Sequence, residues 1–163
     1  MFQVVRGDLL AEPVEAIVNA ANGHLAHAGG VAAIIARAAG PALQEESQRI
    51  ARERGPLPTG SAVVTTAGKL PFKGVIHAVG PRQGEGGEED KLVQALGAAF
   101  ALAKDNSWNS VAFPAVSSGI FAVPLEICAR AYVRAARASP LGKVRCCLRD
   151  QPVIDAVLKE LAK

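Results

Sequence analysis

The stretch IVNAANGHLAHAGGVAA, residues 17–33, decides the fold prediction. It begins with the apolar residues of a buried strand and continues with Asn19 and Asn22. It ends with Gly29 and Gly30 in front of an alanine-rich helix. A turn of this kind leaves backbone N–H groups free at a helix N-terminus, which suits a phosphate group. The stretch therefore predicts an α/β protein with a ligand site at the end of this strand.

The composition predicts one globular domain that spans residues 1–163. Hydrophobic residues make up 50% of the chain and charged residues 20%, which is enough apolar side chain for a real core. Aromatic residues are only 4%, so the core must consist mainly of Ala, Val, Leu and Ile.

The charge pattern gives little support for nucleic-acid binding. The net charge is +3, which is mild. From Pro124 onward the chain has eight Lys and Arg residues against four acidic residues. This positive part of the chain is either a solvated helix face or a weak attraction for an anionic ligand or polymer.

The cysteines and histidines indicate neither disulfides nor a metal site. An odd set of three cysteines, Cys128, Cys146 and Cys147, does not form a disulfide framework. His24 and His27 lack the helical spacing of a zinc pair, and no third ligand accompanies them. No apolar run reaches the ~18 residues of a membrane helix. We expect buried thiols, no metal and no cofactor, and a reducing cytoplasmic or nuclear location without a membrane partner.

Short apolar runs alternate with helical patterns along the chain. Runs that are apolar on both faces and separated by helices predict a mostly parallel sheet covered on both sides. The predicted strands are residues 2–7, 14–20, 61–68, 74–80, 110–116 and 143–149, and the predicted helices are residues 31–40, 42–55 and 91–105 and two that start near Pro124 and Pro152.

Four segments follow predicted strands and should meet in one cleft, because ligands of open α/β sheets bind beyond the carboxyl ends of the strands. These segments are residues 7–9, 19–31, 117–121 and 149–150. Two of them, HAGG and SSGIF, have small residues that leave the backbone open, and together they suit a diphosphate. Each loop by itself is also compatible with a simple tight turn.

Other nucleotide and hydrolase motifs are absent. AVSSG lacks the first glycine of the hydrolase motif G-x-S-x-G, and neither G-x-G-x-x-G nor a P-loop occurs. Asp8 either accepts a bond from an adenine amine or caps the next turn. Asn19 and Asn22 either bind ribose hydroxyls or hold the backbone of their own loop. His77, in an apolar strand, is expected to be a core histidine.

Taken together, these motifs resemble those of the macrodomains, the ADP-ribose-binding family. The matching motifs are VVRGDLL, VEAIVNAANGHL, HAGGVA, IHAVGP and VAFPAVSSGIFAVPL, which occur in the family's order. HAGG and IHAVGPR are most similar to the macrodomains of the macrodomain-containing ADP-ribosyltransferases. The resemblance implies a three-layer α/β/α fold with a mixed, mostly parallel central sheet.

The resemblance also implies a role for each motif. Asp8 and Leu9 would hold the adenine, Asn22 the distal ribose, and Asn19 the loop. An Arg at position 149 stands where some members stack an aromatic ring on adenine. The diphosphate would lie between two sets of residues, Gly29, Gly30 and Val31 on one side and Ser117, Ser118, Gly119 and Ile120 on the other, with Phe121 against the distal ribose.

Three departures from the family pattern concern catalysis. Hydrolytic members of one branch have an acid where this chain has Ala32 and a histidine where it has Ala36, and the usual third glycine is Ala28. Ala28 makes the loop slightly stiffer and bulkier, and without the acid or the histidine a general base is hard to name. Other branches also lack the acid and still hydrolyse ADP-ribosyl esters.

The sequence is therefore compatible with three functions. The first is a reader that binds ADP-ribose, free or on mono-ADP-ribosylated proteins. The second is a hydrolase that removes ADP-ribose from acidic side chains, with Asn22, Gly30 and Phe121 as the catalytic residues. The third is a binder of poly(ADP-ribose) or nucleic acid. We expect a monomer, and the abrupt start suggests a part of a longer multidomain chain.

Overall fold

The computed structural model describes all residues of the chain, 1–163. Strands and helices alternate along most of it. The strands are β1 (Phe2–Arg6), β2 (Ala16–Ala21), β3 (Ala62–Thr65), β4 (Gly74–Val79), β5 (Ser110–Phe113) and β6 (Lys143–Leu148). The helices are α1 (Gly30–Ala39), α2 (Pro41–Arg54), α3 (Glu88–Asp105), α4 (Leu125–Arg137) and α5 (Gln151–Leu161), with a short 3₁₀ helix at Leu9–Ala11.

The strands form one six-stranded sheet in the order β1-β6-β5-β2-β4-β3. Every neighbouring pair is parallel except β3 and β4, which are antiparallel. All residues of β4 are buried, as a strand covered on both faces requires. The prediction of a mixed, mostly parallel sheet is confirmed.

Helices cover both faces of the sheet and give three layers. Along β2 the side chains alternate, as in any strand. Val18 belongs to the large apolar cluster that includes α3, α4 and α5. Its neighbour Ile17 belongs to the cluster on the other face, which includes residues of α1 and α2. The core is built mainly from aliphatic residues, with a small aromatic group of Phe100, Phe113 and Tyr132.

Glycine and proline set the helix boundaries near the site. Gly40 has φ +84° and ends α1, and Pro41 begins α2 directly after it. Pro152 lies in the first turn of α5, where a backbone N–H would have no acceptor within the helix, so proline costs no hydrogen bond. None of the helices is both long enough and apolar enough to cross a membrane.

Candidate functional site

A cavity of about 160 Å³ lies at the carboxyl ends of β1, β5 and β6. Its apolar walls include Leu9, Val31 and Val153. Pro114 and Ala115, which follow β5, complete one side. Three of the four predicted strand-exit segments therefore line this cavity directly, and the fourth, residues 117–121, begins two residues after Ala115. We call this cavity and the two loops beside it, residues 28–31 and 117–121, the cleft.

Charged groups stand at the mouth of the cavity. Arg149 Nη2 lies 3.5 Å from Asp8 Oδ1, and both side chains are largely exposed. Asp8 Oδ1 also accepts a hydrogen bond from Leu10 N at 3.0 Å and thereby caps the 3₁₀ helix. The capping role considered for Asp8 is confirmed. It leaves Oδ2 available, so the carboxylate can cap the turn and still accept a bond from a ligand.

Cys147, a free and buried cysteine, is among the residues that line the cavity. Burial raises the pKa of Cys147 to about 11, so the thiol stays protonated near neutral pH. Cys128 and Cys146 are also free and buried, as the sequence predicted.

Asn22 organises the turn between β2 and α1. Its Oδ1 accepts bonds from the backbone N–H groups of His24 and Ala26, and its Nδ2 donates to the carbonyl of Ala26. Both lone pairs of the oxygen are thus used, whereas one N–H of the amide remains free. Asn22 can therefore donate to a ligand but not accept from it. Leu25 within this turn has φ +53°, a left-handed conformation that these bonds hold in place.

Of the two roles considered for Asn19, the structure favours holding the loop over contacting a ligand. The side chain is fully buried, because β2 continues two residues beyond Asn19 to Ala21. Its Nδ2 lies 3.0 Å from His77 Nδ1 and 3.5 Å from His27 Nδ1. Asn19 therefore supports the turn from within the core and has no access to the cleft.

His77 is the core histidine that the sequence predicted, and its proton can be placed. Thr65 donates its hydroxyl to the carbonyl of Thr66, so it accepts from His77 Nε2, 2.8 Å away. His77 Nδ1 is then the acceptor for Asn19. Burial, and secondarily the charge of His27, lower the pKa of His77 to about 3. The ring is thus neutral at physiological pH.

His27 joins this buried group to α2. Its ring stacks on His77 with centroids 5.0 Å apart, and its Nε2 lies 3.0 Å from the hydroxyl of Ser47. Burial lowers the pKa of His27 as well. His27 lies in the strand-exit segment 19–31 that was expected at the cleft, whereas the structure buries it as a link between the turn and α2.

The loop of residues 117–121 is held from below by α4. The hydroxyl of Tyr132 donates to the carbonyl of Val116 and accepts from its N–H at 2.7 Å. Ser117 has φ +67°, and Val123 N closes the loop on its carbonyl at 2.9 Å. The Ser117 hydroxyl is buried without a hydrogen-bond partner and lies against Gly80. Only the backbone of Ser117 is therefore a candidate ligand contact.

The outer end of this loop carries two apolar side chains. Ile120 is 89% exposed, and Phe121 is half-buried. The guanidinium carbon of Arg82 lies 4.8 Å from the centroid of the Phe121 ring, and Gln83 N donates to the carbonyl of Phe121. The segment after β4 thus holds Phe121 in place. Neither Arg82 nor Tyr132 was predicted as a site residue from the sequence. Two sequence features could have indicated them: Arg82 is a cation that closely follows a predicted strand, and Tyr132 is the one tyrosine of the chain, on the apolar face of α4.

No acidic side chain lies in the first turn of α1. Ala32, at the position of the acid in one hydrolytic branch, is buried, and Ala36 is half-buried. No three His, Cys, Asp or Glu side chains group closely enough to hold a metal ion. The site can therefore offer backbone N–H groups, the amide of Asn22 and the carboxylate of Asp8 to a ligand.

A parallel-sheet domain with two open-backbone loops beside an apolar cavity belongs to the class of α/β ligand-binding domains. Comparison with known protein families identifies one family within that class. The family model of the Macro domain matches residues 18–132. The chain belongs to the macrodomain family.

Curated relatives include proteins with an assigned activity. The chain is 45% identical over 135 residues to the O-acetyl-ADP-ribose deacetylase of Escherichia fergusonii, covering 82% of this chain and 76% of the relative. An uncharacterized protein of Saccharolobus solfataricus is 44% identical over 155 residues, covering 93% and 87%. One of Thermotoga maritima is 46% identical over 159 residues. That match spans 92% of this chain but only 26% of the relative.

Solved structures share the whole fold. A variant of the Oceanobacillus iheyensis macrodomain with ADPR has a TM-score of 0.91 at 30% identity, covering 98% of this chain and 90% of that one. The Trypanosoma brucei macrodomain in complex with ADP-ribose has a TM-score of 0.87 at 28% identity, covering 98% and 68%. These matches confirm the three-layer α/β/α fold that the resemblance implied.

Proposed function

We propose that this macrodomain binds ADP-ribose, free or attached to mono-ADP-ribosylated proteins, and acts as a reader. The observation that carries the proposal is the convergence of strand-exit segments on one cleft, with an apolar cavity at one end and two open-backbone loops beside it. Family membership and the ligands of the related solved structures support it.

The cleft suits one orientation of ADP-ribose, with the adenine in the apolar cavity and the distal ribose beyond the two loops. An adenine suits the apolar cavity, where Leu9, Val31 and Val153 offer flat contacts and Asp8 Oδ2 accepts from the exocyclic amine. The diphosphate then lies between the two loops, on the N-terminus of α1. The distal ribose reaches Phe121 and the free N–H of Asn22.

Isothermal titration calorimetry with ADP-ribose tests this proposal. We expect measurable heat with ADP-ribose and weaker binding with adenosine, which lacks the diphosphate. Asp8→Ala should weaken the binding of both ligands, because both carry adenine. The absence of heat at millimolar ADP-ribose would show that the proposal is wrong.

A second candidate is hydrolysis of an ester on the distal ribose, or of ADP-ribose from acidic side chains. It is favoured by the O-acetyl-ADP-ribose deacetylases among the relatives. In this reaction a water attacks the ester carbonyl, the bond to the ribose oxygen breaks, and that oxygen takes a proton. The first turn of α1 offers no carboxylate as a base, so Asn22, the backbone of Gly30 and Phe121 would have to position the water. We therefore place binding before hydrolysis.

Acetate release from O-acetyl-ADP-ribose separates the two candidates. A reader leaves the ester intact over hours, as the heat-unfolded protein does. Ala32→Asp supplies the missing carboxylate and is expected to raise the rate. Fast release by the unaltered chain, slowed by Phe121→Ala, would instead establish the hydrolase.

A further inference from the structure

A second concavity of about 410 Å³ lies beside the cleft and shares only Ala28 with it, between the turn after β2 and α2. Residues 24–28 of the turn form one wall. Gln44, Gln48, Ala51 and Arg52 of α2 form the other. We call this concavity the α2 groove. It is larger than the cavity at the carboxyl ends of the strands, and the proposed binding of ADP-ribose does not use it.

The polar side chains that α2 contributes to the groove are free to bind. Gln44, Gln48 and Arg52 are four residues apart and so form one row along the helix. Gln48 and Arg52 make no side-chain hydrogen bond or ion pair in the structure, and the Oε1 atom of Gln44 is buried without a partner. The row therefore presents two amide side chains and one guanidinium that are not engaged elsewhere in the protein.

The α2 groove lies close to the cleft. Ala28 lines the groove and Val31 lines the cavity of the cleft. Three residues of chain span at most about 10 Å, so only the glycine-containing segment 28–31 separates the two concavities. A group attached to the far end of a ligand lying on this segment can reach the groove.

The chemistry of the α2 groove matches a polypeptide. Each glutamine amide carries a donor and an acceptor, as a peptide group does. The small side chains of Ala26, Ala28 and Ala51 leave room for a backbone. Arg52 is the one side chain with a permanent charge in the lining, and it favours a carboxylate. A second nucleotide unit would need more cations for its diphosphate and an aromatic ring for its base, and the lining has neither apart from the imidazoles.

We propose that the α2 groove binds the acidic polypeptide segment that carries the ADP-ribose. This proposal rests on the proposed function, because ADP-ribose in the cleft brings the segment to the groove. The groove thereby makes the domain distinguish modified acidic segments from free ADP-ribose. Recognition is divided between two surfaces, the cleft for the nucleotide and the groove for its carrier.

Calorimetry with four ligands tests the proposal. They are free ADP-ribose, an acidic peptide with ADP-ribose on a glutamate through a hydrolysis-stable linkage, the same conjugate with lysines in place of the acids, and an ADP-ribose dimer. We expect the acidic conjugate to bind about tenfold more tightly than free ADP-ribose, which is a readily measured difference. The lysine conjugate should lose this advantage.

Variants locate the effect. Arg52→Glu and Gln48→Ala should bring the acidic conjugate to the affinity of free ADP-ribose and leave free ADP-ribose unchanged. Arg54→Glu is the matched control, because it makes the same charge change on α2 outside the groove and should alter neither affinity. Equal affinity of free and conjugated ADP-ribose, or equal effects of the two charge changes, would overturn the proposal. So would an Arg52→Glu effect on the dimer instead of the conjugate. If free ADP-ribose itself does not bind, the proposed function fails and the groove proposal fails with it.

Discussion

At the residue scale, Gly29 and Gly30 are adjacent but tolerate different changes. Gly29 is extended, with φ −159°, whereas Gly30 has φ +58°, and a Cβ would meet no atom within 4 Å at either position. Gly29→Glu should therefore fold normally, and its carboxylate should repel the diphosphate. We expect at least a tenfold loss of ADP-ribose affinity, about 1.4 kcal/mol, by calorimetry.

Two further variants serve as controls. Gly29→Gln has the same size without the charge and should lose less affinity than Gly29→Glu. Gly30→Ala should lower the free energy of unfolding by about 1–2 kcal/mol, because a Cβ is strained in the left-handed region. For the same reason Gly30→Glu would mix strain with repulsion. Equal binding by the Glu and Gln variants of Gly29 would contradict an anion site at this loop.

Arg82 is a positioning residue for Phe121. A cation over an exposed ring contributes about 0.5–1 kcal/mol, so Arg82→Ala should weaken ADP-ribose binding by roughly two- to fivefold. Arg82→Lys should keep part of the effect. In a double-mutant cycle with Phe121→Leu, the second change should add little once Phe121 has been replaced. Additive losses would show that Arg82 acts independently of the ring.

Asn19 shows what the sequence leaves open at single residues. The pattern VEAIVNA identified the strand correctly, but residues at a strand end have no signal that fixes the last one. β2 ends at Ala21, one residue later than predicted, which places Asn19 two residues inside the sheet and makes Asn22 the first residue beyond it. Asn22 could be assigned to the turn from sequence, whereas its hydrogen bonds to His24 and Ala26 required the structure.

At the element scale, α4 supports the loop of residues 117–121 through one hydroxyl. Tyr132→Phe removes the partner of the buried Val116 N–H and leaves its carbonyl with only the weaker contact to the Cys128 thiol. An unpaired buried group costs about 1–3 kcal/mol, so we expect the free energy of unfolding in urea to fall by that amount. ADP-ribose affinity should fall too, because the loop loses its anchor.

A second substitution in α4 distinguishes the hydrogen-bond anchor of the loop from general packing beneath it. Cys128→Ala removes a thiol that faces the carbonyls of Val116 and Val123 at 3.7 and 3.6 Å, which are weaker contacts. It should affect ADP-ribose binding much less than Tyr132→Phe. A Tyr132→Phe protein with unchanged affinity would mean that the loop keeps its shape without this hydroxyl.

The elements themselves followed from the sequence. The runs that became β2, β4 and β5 are apolar on both faces, and the helices start or end at glycine and proline, so local patterns sufficed. The antiparallel pairing of β3 with β4 did not follow, because strand direction depends on the path of the chain between them. The α2 groove is also formed by packing between distant segments and has no motif of its own.

At the scale of the whole molecule, the basic C-terminal part does not present a free positive surface. Five of its eight cations lie within 4 Å of a carboxylate, namely Arg130, Arg134, Arg145, Arg149 and Lys163. Arg145, for example, lies 2.8 Å from Glu12, and both are largely buried. This pairing favours a small ligand in the cleft over a long polyanion, whose binding relies on free cations.

The finer likeness to the macrodomains of ADP-ribosyltransferases stays a prediction.

The buried histidines make the stability of the whole fold depend on pH. Burial lowers the pKa of His77 to about 3 and also lowers that of His27, whereas both titrate near the ordinary value of 6.5 in the unfolded chain. Between these values the unfolded state binds more protons, so the stability present above pH 6.5 is lost as the pH falls. A single such group contributes a slope of up to about 1.4 kcal/mol per pH unit.

Urea unfolding at pH 7.5, 6.5, 5.5 and 5.0 measures this slope. His77→Gln should be less stable at pH 7.5, because the contacts with Asn19 and Thr65 change, but its stability should fall less steeply below pH 6.5. The carboxyl groups with lowered pKa values, such as Glu15 and Glu89, lose their contribution only below about 4.5, outside this range. If the free energy of unfolding fell equally steeply with pH in both proteins, the pH dependence would not come from a requirement that His77 be neutral in the folded state. The steeper curve of the unaltered chain follows if Asn19, His77 and Thr65 form one network that a second proton would disrupt.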